Sequence, residues 1–333
     1  MSTLVVNRDS ISVKLESEHL VVHDHAKGAS FQRVPLVDVD RVVVVGSPAI
    51  SFHVLAKLMD RGVTCSFMTH AGKWRGVIDG DSGYHGIRRT LQYERASDAS
   101  FALELSRRLV AAKIANSRRT IQRLAAERGL SLDDDVSWIR LSSCTGSLVH
   151  AESLEVVRGI EGGAANAYFA ILSRFFPKDA PFPSRSRRPP RDEANALLSF
   201  AYTLLTNEFE SSIRSHGLDV AAGFFHRKSD RAPALALDLM EPFRASWTDR
   251  LVLGLLNHRR IRASDHFTHS DFDGVHLNEE GRKIFFRAFD DMMMRRQMTN
   301  EGGMTLRGIV DKAVCQYIKV LESDAETDFY KAA

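Results

Sequence analysis

The sequence predicts an α+β protein, with a small β-rich N-terminal unit over residues 1–88 and a larger all-α unit over residues 89–333. Three observations predict it. Up to Gly46, apolar residues either alternate with polar ones or run together as valines, which is strand patterning. After Gly86, the spacing changes to the three-to-four-residue repeat of helices and keeps it almost to the C-terminus. No internal repeat or long low-complexity tract interrupts either part.

The strands come first. "LVVNR", "SISVKLESEHLVVHD" and "ASFQRVPL" alternate and are rich in valine, and "RVVVVG" is a β-branched run suited to a strand buried on both faces. Gly28, Pro35, Gly46 and Pro48 punctuate them. "AISFHVLAKLMDRG" fits a short helix stopped at Gly62, and "VTCSFMTHAGKWRGVIDG" fits a hairpin around Ala71-Gly72.

Beyond Gly86, "IRRTLQYERASDASFALELSRRLVAAKIANSRRTIQRLAAERG" is helical nearly throughout. "AANAYFAILSRFF", "DEANALLSFAYTLLTNEFESSIRSHG", "ALALDLMEPFRASWTDRLVLGLLNH", "NEEGRKIFFRAFDDMMMRR" and "TLRGIVDKAVCQYIKVLESDAE" are expected as further helices. A Pro- and Arg-rich loop, "PKDAPFPSRSRRPPR", separates the first two of these. "HSDFDGVHLNEEG" lacks the register of an EF-hand and reads as a loop and hairpin leading into a helix.

Composition excludes several classes. At 44% hydrophobic and 26% charged residues the chain is ordinary for a soluble domain, and 333 residues suffice for a real core. The net charge of +3, from 45 Lys and Arg against 42 Asp and Glu, means that any anion-binding surface must come from local clustering. Three scattered cysteines, Cys65, Cys144 and Cys315, contain no CxxC, so neither a disulfide framework nor a zinc–thiolate site is expected. No apolar run approaches the about 20 residues that span a bilayer, and the N-terminus carries no signal pattern. A cytoplasmic protein with no membrane association is expected. GxxxxGK[ST] and GxSxG are absent, which excludes P-loop chemistry and a nucleophile elbow.

The chemistry-bearing residues are few. In "GIEGGAANAYF", Glu161 is the lone acid among glycines and alanines, read as a turn entering a helix. In "GFFHRKSDRAPALALDLMEPFR", His226 precedes a polar turn, and Asp238 and Glu241 follow at i, i+3 on an otherwise apolar helix. Carboxylates with one imidazole suit a hard divalent cation, Mg²⁺ or Mn²⁺. The same residues also read more plainly: His226 as a hydrogen-bonded core histidine, Asp238 paired with Arg231 or Arg244, and Glu241 paired with Arg244. Arg185, Arg187, Arg188 and Arg191 crowd one Pro-flanked loop and are candidate phosphate contacts. Arg88, Arg89, Arg107, Arg108, Arg118 and Arg119 lie on helical stretches and are either DNA-facing or solvated ion pairs.

"GIEGGAANAYF", "RSRRPPRDEANALLSFAYTLL", "GFFHRKSDRAPALALDLMEPFR", "DRLVLGLLN" and "GVHLNEEGRKIFF", in this order, resemble the CRISPR-associated integrase family, Cas one. "VPLVDVDRVVVVGSPAISFHVLAKLMDRGVTCSFMTHAGKWRGVIDG" is similar to that family's β-domain. The resemblance implies a Mg²⁺- or Mn²⁺-dependent DNA integrase and endonuclease of antiviral spacer acquisition. It implies metal ligands at Glu161, His226 and Glu241, and a further active-site acid at Asp238. It also implies a homodimer that joins a Cas two partner, captures short double-stranded DNA and inserts it beside the leader of the CRISPR array through the fragment's own 3′-hydroxyl. No protein nucleophile is needed for that attack. The chain departs from the family in "FRASWTDR", which lacks a common proline, and in "NHRRI", which lacks a common glycine; neither touches a candidate ligand. From the residue types alone, a general metal-dependent DNA nuclease, a branched-DNA resolvase and a non-catalytic nucleic-acid scaffold remain the alternatives.

Overall fold

The computed structural model of the chain describes residues 2–26, 29–70, 74–78, 80, 85–186, 189–226, 232–270, 272, 274–299, 302–323 and 329–332. Its N-terminal elements are β1 (Ser2–Val6), β2 (Ile11–Glu16), β3 (His19–Asp24), β4 (Ala29–Pro35), β5 (Val39–Val45), β6 (Ala49–Ile50), α1 (Phe52–Asp60), β7 (Thr64–Met68) and β8 (Trp74–Ile78). They form two four-stranded sheets, ordered β1-β5-β7-β8 and β4-β3-β2-β6. In the first, β1, β5 and β7 are parallel and β8 closes antiparallel; in the second, an antiparallel β2-β3-β4 meander takes β6 in parallel to β2.

The valine run has a physical use on each face. Val42 and Val44 point into an N-terminal cluster with Leu4, Val6, Val13, Leu20 and Val54. Val43 and Val45, one residue out of phase, join the large cluster formed by the helices. Side chains alternate across a strand, so β5 is a wall shared by two cores. A continuous apolar run is what such a strand requires.

The helical part comprises α2 (Gly86–Ser97), α3 (Ala99–Glu127), α4 (Val136–Val149), α5 (Leu154–Leu172), α6 (Glu193–Ser215), α7 (Ala234–Met240), α8 (Arg250–Asn257), α9 (Glu279–Met294) and α10 (Leu306–Ser323). The chain is therefore a mixed α+β protein with its strands concentrated at the N-terminus. Hairpin β9 (Phe267–Ser270) and β10 (Gly274–Leu277) leads into α9 as its sequence predicts. A second hairpin, β11 (Arg296–Thr299) and β12 (Gly302–Thr305), falls where only helices are expected.

Helix α4 is not among the helices the sequence predicts, and three that it does predict take a different form. Asp98 splits the long first helix, because its carboxylate caps Ser100 and Phe101 and starts α3 afresh. Helix α5 starts at Leu154 under a Ser153 cap, so Glu161 is not at a helix entry but in mid-helix. The expected single helix "ALALDLMEPFRASWTDRLVLGLLNH" is broken. Pro242 has no N–H to continue α7, so a 3₁₀ turn (Glu241–Phe243) and a π-helical turn (Arg244–Asp249) intervene before α8.

One buried ion cluster ties the strands to the helices. Arg41 of β5, only 6% exposed, pairs with Glu208 of α6 and donates to the Asn207 carbonyl at 2.9 Å. Arg307 of α10 reaches the same carboxylate at 3.2 Å. Burial would raise the Glu208 pKa, but the two guanidinium groups outweigh it and hold the carboxyl below its ordinary range. Its contribution to stability is therefore complete above the ordinary glutamate value of about 4.5 and is lost as pH falls through the depressed one. Glu208→Gln leaves the buried Arg41 guanidinium without its counter-charge and Arg307 with Asp290 alone, so unfolding at pH 7 should cost roughly 3–5 kcal/mol less than in the wild type. Denaturant titrations should show that gap narrowing below pH about 4.5.

Candidate active site

The candidate ligands gather around Glu241, which sits on the 3₁₀ turn and is 5% exposed. Its place is set by Asn116 of α3, whose amide donates to the Pro242 carbonyl at 2.6 Å. One carboxylate oxygen, Oε1, accepts from Arg244 at 2.7 Å and lies 3.9 Å from His226 Nε2. The other, Oε2, is 2.7 Å from Lys113 Nζ of α3. That approach pairs the charges of Lys113 and the buried carboxylate. Lys113 also pairs with Glu161 of α5. A single ammonium thus stands between the two glutamates.

Burial opposes the charge on Glu241, yet Arg244, Lys113 and His226 more than cancel it and hold the carboxyl far below the usual carboxylate range. Glu241 is ionised at any working pH.

Asp238 has no exposed surface and its oxygens are fully used. Oδ2 accepts from the Phe224 and Phe225 N–H groups at 2.7 and 3.0 Å. Oδ1 accepts from the His226 N–H at 2.9 Å and from its Nδ1 at 2.6 Å. The loop from Gly223 to His226 is therefore wrapped around one carboxylate. Gly223 is required there, since a Cβ would lie 2.6 Å from Asp238 Oδ2. A carboxylate only accepts, so Nδ1 carries its proton and Nε2 is the nitrogen turned toward Glu241. Burial would lower the His226 pKa; the hydrogen bond and charge of Asp238, with Glu241 behind, raise it above the ordinary value.

Beneath the glutamates lies a polar layer that sequence reasoning missed. Tyr168 and Tyr202 donate to Asp249 at 2.8 and 2.6 Å, and the Arg244 guanidinium sits 4.0 Å from the Tyr202 ring centroid. Burial pushes the Asp249 pKa up despite these partners. Lys113 was also missed. Its signal was present: it is the one lysine in a 29-residue helix whose other cations are all arginine, and it is flanked by Ala112 and Ile114.

The arginine candidates separate. Arg185 is committed to local structure, donating to Asn195 Oδ1 at 2.7 Å and Ser199 Oγ at 3.1 Å. Arg191 is exposed. Arg187 and Arg188 lie outside the described residues, as does Arg231. Of the helical arginines, Arg88, Arg89, Arg107 and Arg119 clamp backbone carbonyls of His216, Gly217, Ala151 and Ala332. Arg108 pairs with Glu104, and Arg118 lies over the Trp138 ring. A larger cavity of about 500 Å³ lies away from these acids, lined by Thr64, Arg89, Tyr93, Arg214 and Asp219.

The architecture and site define a class: a strand-rich N-terminal part joined to a helical body that sets one half-buried lysine between two glutamates, with a histidine beside one of them. The family follows from comparison. The model for CRISPR associated protein Cas1 matches residues 4–291, and the chain belongs to that family. A CRISPR-associated endonuclease Cas1 of Thermodesulfovibrio yellowstonii is 32% identical over 89% of this chain and 93% of its own length. A solved casposase bound to integration product shares the fold, with a TM-score of 0.87 at 22% identity over 98% of this chain and 92% of that one. The Cas6-RT-Cas1–Cas2 complex has a chain that matches 98% of this one at TM-score 0.81 and 22% identity, with 36% of that longer chain covered.

Asp238→Asn keeps the size but turns an amide toward N–H donors. The buried loop should lose roughly 1–3 kcal/mol. In the metal-free protein, an NMR titration should place the His226 pKa above 6.5 in the wild type and lower in the variant.

Proposed function

We propose that this chain is a divalent-metal-dependent DNA integrase of CRISPR adaptation, with endonuclease activity at the same site. The observation that carries the reading is the buried, ionised Glu241, whose Oε2 is 2.7 Å from the same Lys113 ammonium that pairs with Glu161. Oxygen and imidazole donors at this spot fit Mg²⁺ or Mn²⁺. Glu161, His226 and Glu241 would hold the ion. When bound, it supplies Lewis acidity toward a phosphate oxygen and an attacking hydroxyl.

The residues of the chain do the rest. Asp238 acts as a positioning residue, keeping the proton on Nδ1 and leaving Nε2 of neutral His226 as the donor nitrogen. Arg244 neutralises the outer oxygen of Glu241 and is itself steadied by Tyr202. Lys113 competes with the ion for the same two carboxylates. The nucleophile is the 3′-hydroxyl of a short double-stranded DNA fragment, so one phosphodiester replaces another and no serine or cysteine is required.

The glycines beside Glu161 fit a bulky substrate. A Cβ at Gly159 or Gly162 would meet nothing within 4 Å, and at Gly163 only Arg140 Nη2 at 3.9 Å. Neither packing nor backbone conformation demands glycine there, and glycine in mid-helix costs about 1 kcal/mol against alanine. Close approach of a DNA backbone accounts for their use.

In this reading residues 89–333 form the catalytic and DNA-binding unit, with Arg191 and the neighbouring arginines on the phosphates, and residues 1–88 mediate homodimerisation. The physiological substrates are spacer fragments and the leader–repeat junction. The partner is Cas2, supported by the resemblance and by the Cas6-RT-Cas1–Cas2 complex, in which a chain of the same fold assembles with Cas2. The relatives' name, endonuclease, favours a second reading in which water is the nucleophile and cleavage is the sole outcome.

The test is strand transfer of a short duplex with free 3′-hydroxyls into a plasmid carrying leader and repeat, with Mn²⁺ or Mg²⁺ and with or without Cas2. Joined products should vanish in Glu161→Ala, His226→Ala and Glu241→Ala, and fall roughly 10–100-fold in Asp238→Asn. Metal-dependent cleavage with no joining would establish the nuclease reading, and activity unchanged in Glu161→Ala would refute both. Gly163→Leu should lose strand transfer at least tenfold while its melting temperature stays within a few degrees of wild type. Lys113→Met should melt lower than wild type without metal and be raised further by Mn²⁺, measured by calorimetry.

A further inference from the structure

A second group of ligand-type side chains lies on other elements. His216 caps the C-terminal end of α6, and Asp311 and Cys315 stand one turn apart on the same face of α10. His216 Nε2 is 2.9 Å from Asp311 Oδ1 and 3.6 Å from Cys315 Sγ. All three ligand atoms fall within 4.8 Å of one another, the one such trio found among the described residues.

Their supports fix the directions in which they point. Ser212 Oγ donates to Asp311 Oδ1 at 2.9 Å. The His216 carbonyl is held by Arg88 at 2.9 Å, and Arg88 in turn pairs with Glu322 of α10 at 3.2 Å. Asp311 is 55% exposed at its side chain, so the group is open to solvent ions.

We propose that His216, Asp311 and Cys315 form a zinc site that clips the end of α6 to α10, apart from the candidate active site. Neighbouring donors around a tetrahedral zinc are about 3.3–3.6 Å apart, given bonds of about 2.0–2.3 Å. Two sides of the triangle, 2.9 and 3.6 Å, are already near that size, and the third is within 4.8 Å. A thiolate, an imidazole and a carboxylate select borderline-soft Zn²⁺ over Mg²⁺ and Mn²⁺. Water takes the fourth position. Zinc takes the thiol as thiolate, so binding releases its proton to solvent.

The experiment uses the full chain, reduced and stripped with chelator, and titrates it with Co²⁺ as a spectroscopic stand-in and then with Zn²⁺. A thiolate-to-cobalt charge-transfer band should saturate at one equivalent, persist in Glu241→Gln, disappear in Cys315→Ser, and be bleached by Zn²⁺ but not by Mg²⁺. Zn²⁺ should raise the melting temperature of wild type and Glu241→Gln, with at least a tenfold weaker response in Asp311→Ala. Asp311→Ala changes an exposed side chain, so it serves should Cys315→Ser fold poorly. A band that survives Cys315→Ser, a band lost in Glu241→Gln, or no cobalt–thiolate band in the wild type would each overturn the proposal. So would a Zn²⁺ stabilisation left intact in Asp311→Ala.

Discussion

A carboxylate buried in an apolar core must be met by cations or hydrogen-bond donors, and the helical part of this protein is arranged around meeting the charge of Glu241. Its neighbours in sequence, Met240, Pro242 and Phe243, are all buried and offer no compensation. The answering charges come from three directions: Lys113 on α3, Arg244 a turn further on, and His226 from the loop before α7. An uncompensated carboxylate here would cost several kcal/mol. The relative placement of α3, α5 and the turn after α7 is therefore tied to one ionised group.

The break at Pro242 is part of that arrangement. The backbone stays helical from Asp238 to Glu241, and the irregular turns begin there; the two acids differ in the partners that reach them. Asp238 turns inward and organises a loop through four hydrogen bonds, while Glu241 faces Lys113 and His226. Two acids three residues apart thus take different partners, one a histidine and the loop before it, the other a lysine and an arginine. Irregular helical turns at functional sites follow this pattern.

Arginine shows how composition can mislead. Clustered arginines in a nearly neutral chain read as a phosphate-binding surface, yet Arg88, Arg89, Arg107 and Arg119 are spent on carbonyls, and Arg41 and Arg307 on Glu208. A planar fork of donors closes helix ends as well as it grips phosphate. The cysteines mislead in the other direction. Scattered thiols without CxxC exclude a local zinc motif, but they do not exclude a site assembled from α6 and α10.

Local signals alone determined the α+β class, the strand-to-helix switch near Gly86, the valine strand and the hairpin before α9. These depend on patterning within a few residues, which a single sequence displays. Glu161, His226, Asp238 and Glu241 were legible as candidates because acids and a histidine stand out in apolar or glycine-rich surroundings. Only the tertiary structure decided their roles. It moved Glu161 into mid-helix, set Lys113 between the two glutamates, made Asp238 the anchor of His226, and laid Tyr168, Tyr202 and Asp249 beneath them. The physical reason is electrostatic: a buried charge is defined by the partners that reach it, and here those partners lie 48 residues away for Glu161 and 47 for Asp249. No local pattern carries that pairing.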